Sequence, residues 1–489
     1  LLIGLGFWLR NIIVQTIATR TYTRAVSLLE DGDNLTAIRD FDAFIKDNPT
    51  DLRTPKARTL RALANVRQYV TVSGATWSSA LEAANEMVEV VGDEPAFRDE
   101  KIELAELVIR IGEGLADRAR RSVDSKALAE AESAVPLHAR IAGESARAFL
   151  VKSRLPDLLT EARAAVRKAG TRSEALAAMD KAIEDGSAAR VYKARDALID
   201  EYADLKPDAE VMSRMVRAND LVRAAVKVDR TSRPAAVDER PEPLGPPTTL
   251  VLRSSSTVPS APPAADAVVY AAADGATGAP LWQTPVGLSC PFPPQPVPGD
   301  PTVLVFDARH DELARRDART GRLRWRLELG ETVDGPPLAI GEQLFQVLPS
   351  GKTLLIALAT GELEATIEMG FPVTQTPASD ESGRFIYVVG RRHCLFVLAR
   401  DPLSCAAVDY LGHAEGSIPC PPKRLGRFLI IVENDRPTDG QWRVMVLDDD
   451  GARPRLVQQL DVPGWTWAAP PSSGSTVWAV GDRGGIEAF

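Results

Sequence analysis

Residues 317–330, DARTGRLRWRLELG, recur, and that recurrence limits the fold more than any other feature of the chain. An acidic residue leads into Thr320-Gly321. Leu323, Trp325, Leu327 and Leu329 then alternate with Arg322, Arg324, Arg326 and Glu328, and Gly330 closes the unit. In DGATGAPLWQTPVG, Asp274, Thr277-Gly278, Trp282 and Gly287 stand at the same offsets. LATGELEATIEMG keeps Thr360-Gly361, Leu363 and Gly370 but has Ala365 where the Trp falls. RDPLSCAAVDYLG keeps the phase and Gly412, and a fifth copy around Asp450-Gly451 keeps the turn.

The marker position falls at Gly278, Gly321, Gly361, Leu403 and Gly451, giving spacings of 43, 40, 42 and 48 residues. A Pro-led start runs in step with it, at Pro293-Pro294, Pro336-Pro337, Thr376-Pro377, Pro421-Pro422 and Pro470-Pro471. Between the two markers lie hairpins, such as Leu344 to Val347, a turn at Ser350-Gly351, then Leu354 to Leu358. Four short strands per period of 40 to 50 residues specify a β-propeller, with about five blades visible. The Thr-Gly pair supplies the positive φ of a tight turn, and the alternating strand is a half-buried outer strand.

The D-x-x-T-G-x-x-x-W unit resembles the repeat of the PQQ-like β-propeller family, the quinoprotein and BamB-type blades, over residues 266–489. The likeness is good in the first two copies and degenerate later. It implies an all-β propeller and, for the BamB type, scaffolding at a bacterial cell envelope. For the quinoprotein type it implies a dehydrogenase with a calcium site, a catalytic Asp and typically two adjacent cysteines. Cys290, Cys394, Cys405 and Cys420 include no adjacent pair, and Trp282 and Trp325 belong to the repeat. No cofactor and no site residue is expected.

The first half has a different period. Residues 15–230 are rich in Ala, Leu, Glu, Arg and Lys, with apolar residues three and four apart, as in amphipathic helices. Asp31-Gly32-Asp33 reads as a turn between two helices, with an acidic cap rather than a calcium loop, because Leu35 and Thr36 stand where a ligand and a glycine belong. Ala37, Phe41, Phe44 and Pro49 resemble a tetratricopeptide repeat, and Ala175, Met179 and Ala182 a weaker copy. An irregular helical-repeat domain over 21–230 is expected, with repeat-like character within 20–205.

Residues 231–265 are rich in Pro, Ser and Ala and read as a semi-rigid linker, interrupted by a short apolar strand at Thr249 to Leu252. At the start, Leu1 to Leu9 is an apolar run ended by Arg10, in a chain that does not begin with Met. Residues 1–20 are therefore expected to be the remnant of a membrane anchor and a juxtamembrane helix. A helix packed on its own domain or a signal-peptide remnant stay open. Arg10, Arg20 and Arg24 favour a cytoplasmic flank, whereas the envelope resemblance favours a periplasmic body, so orientation stays open too. The chain stops at Phe489, just before the next expected turn, and is expected to be part of a longer product.

A net charge of −9 argues against a general nucleic-acid binder. His393, Cys394, Cys405, His413 and Cys420 lie close in sequence, but their spacing matches no usual zinc pattern. His138 and His310 stand alone and read as surface or cap residues. The expected function is a non-catalytic, membrane-anchored scaffold that binds protein or peptide partners through the propeller face and the helical repeats. The sensor region of a larger signalling protein, such as a membrane kinase, and a quinoprotein dehydrogenase are the alternatives.

Overall fold

In a computed structural model the chain divides into two compact units, residues 1–174 and 175–489. The structure describes residues 2–71, 76–240, 250–253, 268–273, 280–287, 291–373, 375–434, 439–447 and 451–489. Of 2–14, 71, 147, 250–253, 268–273, 280 and 283 it describes the backbone alone.

The first unit is helical. It holds α1 (Leu2–Glu30), α2 (Asn34–Asp47), α3 (Thr54–Thr71), α4 (Trp77–Val91), α5 (Phe97–Ser122), α6 (Ser125–Ala142), α7 (Ala146–Lys152) and the start of α8 (Leu155–Glu184). The α1–α2 turn is as the sequence predicts: Asp33 caps α2 by accepting from the Thr36 N–H at 3.2 Å. Ala37, Phe41 and Phe44 are fully buried, and Tyr22 of α1 packs on both Phe rings. Ala175, Met179 and Ala182, expected as a weaker repeat copy, all lie within the 30-residue α8, with no turn before them. His138 corrects the expectation of a surface residue: it is fully buried in α6, its Nδ1 3.1 Å from the Ala105 carbonyl. No helix among the described residues is long and apolar enough to cross a membrane.

The second unit opens with the end of α8, then α9 (Ala188–Glu201) and α10 (Ala209–Ala225). Its strands follow in chain order: β1 (Lys227–Asp229), β2 (Leu250–Arg253), β3 (Val268–Ala273), β4 (Pro280–Gly287), β5 (Gln295–Pro296), β6 (Thr302–Asp307), β7 (Glu312–Asp317), β8 (Leu323–Glu328), β9 (Leu338–Ile340), β10 (Gln343–Leu348), β11 (Lys352–Ala357) and β12 (Leu363–Glu368). The rest are β13 (Ala378–Ser379), β14 (Phe385–Val389), β15 (Cys394–Arg400), β16 (Leu403–Tyr410), β17 (Lys423–Leu425), β18 (Phe428–Glu433), β19 (Asp439–Val446), β20 (Arg455–Pro463), β21 (Ser472–Ser473), β22 (Thr476–Val480) and β23 (Ile486–Ala488).

Consecutive strands pair antiparallel into propeller blades: β5 to β8, β9 to β12, β13 to β16 and β17 to β20. Three-stranded sheets, β2 to β4 and β21 to β23, flank these, and the sheets do not close into a barrel among the described residues. The apolar strand expected near residue 250 is β2, paired parallel to β3.

The repeat motif is a device for docking one blade on the next. Asp317 Oδ1 accepts from the Arg319 and Thr320 N–H groups and the Thr320 hydroxyl, at 3.1, 2.9 and 2.9 Å. That folds the turn and puts Gly321 at φ +70°. Trp282 of the preceding blade lies against Gly321 and donates its indole N–H to the Ala318 carbonyl at 2.9 Å. Trp325 does the same one blade later, against Gly361 and the Leu358 carbonyl. Asp274, Thr277, Gly278, Cys290, Thr438, residues 448–450 and most of the expected linker lie outside the described residues.

Where the motif decays, helices fill in. Ala365 shares a core with Leu176, Met179, Val191, Tyr192, Met215 and Val222 of the helices and with Phe396, Leu403 and Val408 of the next blade. The helical domain drawn to residue 230 therefore differs from the observed division at 174/175, because residues 175–226 bury their apolar face on blades. The linker drawn from 231 also differs. β1 adds a fifth strand to β12, and residues 233–240 continue along the sheet edges.

Candidate interaction groove

Helix α9 brings one face beside the β14–β15 turn of the fourth sheet and the segment after β12. Between them lies a groove of about 710 Å³, lined by Arg190, Lys193, Asp196, Arg391, Arg392 and His393, with Phe371 and Pro372 supplying apolar wall and Asp200 and Glu415 acidic rim.

Its bed is aromatic. The Tyr192 ring sits 4.8 Å from Tyr410 and 5.5 Å from His393, and His393 stacks on Tyr410 at 5.9 Å and 15°. His393 takes a left-handed backbone at φ +64°, held because its carbonyl accepts from the Leu411 and Gly412 N–H groups. That conformation turns the β14–β15 hairpin so that the imidazole faces the helix. Burial lowers the His393 pKa, outweighing the pull of Asp196.

The groups around this bed are mutually satisfied. Tyr410 donates its hydroxyl to Asp196, whose carboxylate also takes Arg195 at 2.9 Å, and the Arg195 guanidinium lies 5.0 Å over the Tyr410 ring. Tyr192 donates to Asn219 at 2.9 Å, and the Cys394 thiol sits 3.6 Å from its oxygen. Burial pushes both phenols up, and for Tyr410 the bond to Asp196 adds to it. Glu415 receives Arg392 at 2.5 Å and Arg391 at 3.9 Å. The stacked rings stiffen the groove from beneath, and charged arms line it for orientation.

Of the residues weighed as zinc ligands, His393 and Cys394 join this cluster by different partners. Cys405 bonds the Ala407 carbonyl, and Cys420 lies in a separate core beside Val432 and Trp442. His413 is buried, bonds the Gly390 carbonyl at 2.8 Å and is pushed down to about 4 by desolvation. Among the described residues no three His, Cys, Asp or Glu side chains are grouped to hold a metal. Trp282 and Trp325, the indole planes of the repeat, are committed to Gly321 and Gly361. The described residues therefore do not fit a calcium-bound quinone. Sequence reading missed Tyr192, Asp196 and Tyr410: the outer two lie more than 200 residues apart, and nothing local marks them.

The chain matches solved structures only in part. BamB from Moraxella catarrhalis aligns with 16% identity and a TM-score of 0.34, covering 43% of this chain and 62% of that one. Kuenenia stuttgartiensis hydrazine synthase aligns at 12% and 0.32, covering 38% and 53%. Dihydro-heme d1 dehydrogenase NirN aligns at 16% and 0.32, covering 40% and 44%. The chain thus spans less than two thirds of each. No curated protein matches it. Residues 265–365, which hold the two best-kept copies of the repeat, match the family profile described as outer membrane protein assembly factor BamB.

Proposed function

We propose that this protein is a non-catalytic interaction scaffold of the bacterial cell envelope, tethered to a membrane through its N-terminal segment. One observation carries the reading. The α9 groove is open, and the Tyr410 hydroxyl and Asp196 carboxylate beside it are used up in holding α9 to the sheet, leaving Phe371, Pro372, His393 and charged arms to line it. Three Arg side chains beside an apolar wall on a pre-formed surface suit protein recognition. The match of residues 265–365 to the BamB profile supports the same class of role.

The test is site-specific photocrosslinking in the producing cells, with the reactive residue at Arg392 or, as a control off the groove, at Lys352. A discrete adduct from position 392 alone, lost with Arg391→Glu, and retention of the protein in washed membranes are expected. Adducts of equal yield from both positions, or release by a salt wash, would overturn the reading.

A further inference from the structure

The segment after α10 is not a spacer. β1 pairs with β12, joining Lys227 to Glu368 and Asp229 to Thr366. Arg233 and Leu363 then exchange both backbone bonds, at 3.0 and 2.8 Å. The chain crosses to the neighbouring blade, where Ala236 and Arg326 of β8 exchange theirs, at 2.9 and 2.8 Å. Residues 227–240 thus strap two blades together from outside.

The two halves of the strap differ. On β12 it is a three-residue ladder with Val228 packed on the core. On β8 it is a single bridge, and what surrounds the bridge is charge. Glu239 accepts from the Leu323 N–H at 3.1 Å and faces Arg316 at 3.3 Å, and the Asp238 carbonyl takes Arg326 at 2.9 Å. Beneath lies RRDARTGRLRWR, the most cationic stretch of a chain whose net charge is −9. Arg319 and Arg322 are exposed and form no ion pair among the described residues. Arg324 reaches Asp317 only at 3.4 Å.

An edge strand offers unpaired N–H and C=O groups to any extended segment, and a row of arginines selects an acidic one. From the charge match between Glu239 and this edge, we propose that the outer edge of β8 is a docking site for an extended acidic peptide of a partner protein, added as a β-strand. Residues 236–240 fill that site in cis. A partner peptide displaces the β8 half of the strap while the β12 half stays in place. The surface is distinct from the α9 groove, so each can fail its test while the other stands.

The test uses the whole chain and a fluorescein-labelled peptide, Asp-Glu-Ala-Ala-Val-Asp-Glu-Asp-Glu. Ala236→Pro with Glu239→Ala removes the strap's bridge and its carboxylate. Backbone hydrogen exchange over 323–328 should speed up in this variant and slow again with peptide. Anisotropy should show the peptide binding at least tenfold tighter than to the unaltered chain, and Arg319→Glu with Arg322→Glu should cancel that gain. Unchanged exchange in the strap variant, or equal affinity for both chains, overturns the proposal. So does equal binding of dodecathymidylate or phosphatidylglycerol vesicles at about 150 mM salt, which would mark the edge as a general polyanion surface.

Discussion

The indole of Trp325 rests on Gly361 so closely that a methyl group on Gly361 would stand 2.4 Å from the ring atom Cδ2. Gly361 also holds φ +73°, which an L side chain adopts at a cost of about 1–2 kcal/mol. Gly361→Ala should therefore destabilise the second unit by more than Gly341→Ala, where φ is +58° but nothing lies within 4 Å. Trp325→Ala should cost about 3–5 kcal/mol, the usual loss for a large buried ring. Combining it with Gly361→Ala should cost less than the sum of the two, because the clash is then gone. Denaturant unfolding of the four variants measures this, and strict additivity would refute the docking account.

The pH profile of stability has a definite sign. His413 titrates near 4 in the folded chain against a usual 6.5, because it is buried, so between those values only the unfolded chain takes up its proton. Stability is then full above pH 6.5 and is lost as pH falls toward 4, by about 3 kcal/mol through linkage. His393, lowered in the same direction, adds to the loss. Asp317 is depressed by its bonds to Thr320, and its contribution disappears only lower, in the carboxylate range. His413→Gln should flatten the profile between pH 6.5 and 4. An unaltered slope in urea titrations across that window would count against the assignment.

Thr320, Gly321 and Trp325 were legible as a repeat because each copy must solve the same packing problem with the same residues. Which surface the ring meets was not, since the contact crosses 36 residues of chain from Trp325 to Gly361. The strap was hidden for a deeper reason. Arg233 and Ala236 are held by backbone groups that every residue carries, so a Pro- and Ala-rich stretch looks the same whether it is paired or solvated. Residues 175–226 read correctly as helices, but their partner surface depends on Ala365 standing where a Trp stood. The groove's aromatic bed joins Tyr192 to His393 and Tyr410, and no local pattern announces a contact of that span.

Thiol reactivity checks the burial of the cysteines. Burial pushes Cys394 up to about 11, and Cys405 and Cys420 up to about 12. The reactive species is the thiolate, so all three should be inert near pH 8. In a Cys290→Ala variant, Ellman's reagent should find no fast thiol until denaturant is added. A rapid stoichiometric reaction in the folded protein would contradict the placement of the residue that reacted.

The strap's last anchor is ionic and can be removed alone. Glu312 is nearly inaccessible, and its carboxylate holds Arg240 of the strap at 2.5 Å and Arg326 of β8 at 2.7 Å. Removing a carboxylate that serves two guanidiniums leaves them only partly compensated, at about 1–3 kcal/mol. The loss should be local, because Arg233 and β1 remain paired with β12. Glu312→Ala should therefore speed backbone hydrogen exchange over residues 236–240 severalfold, while exchange over 227–229 keeps its rate. The tryptophan fluorescence and the far-ultraviolet spectrum should stay native. Equal acceleration at both sites would mean that the strap opens as one piece, and the two-part hold on β8 and β12 would have to be abandoned.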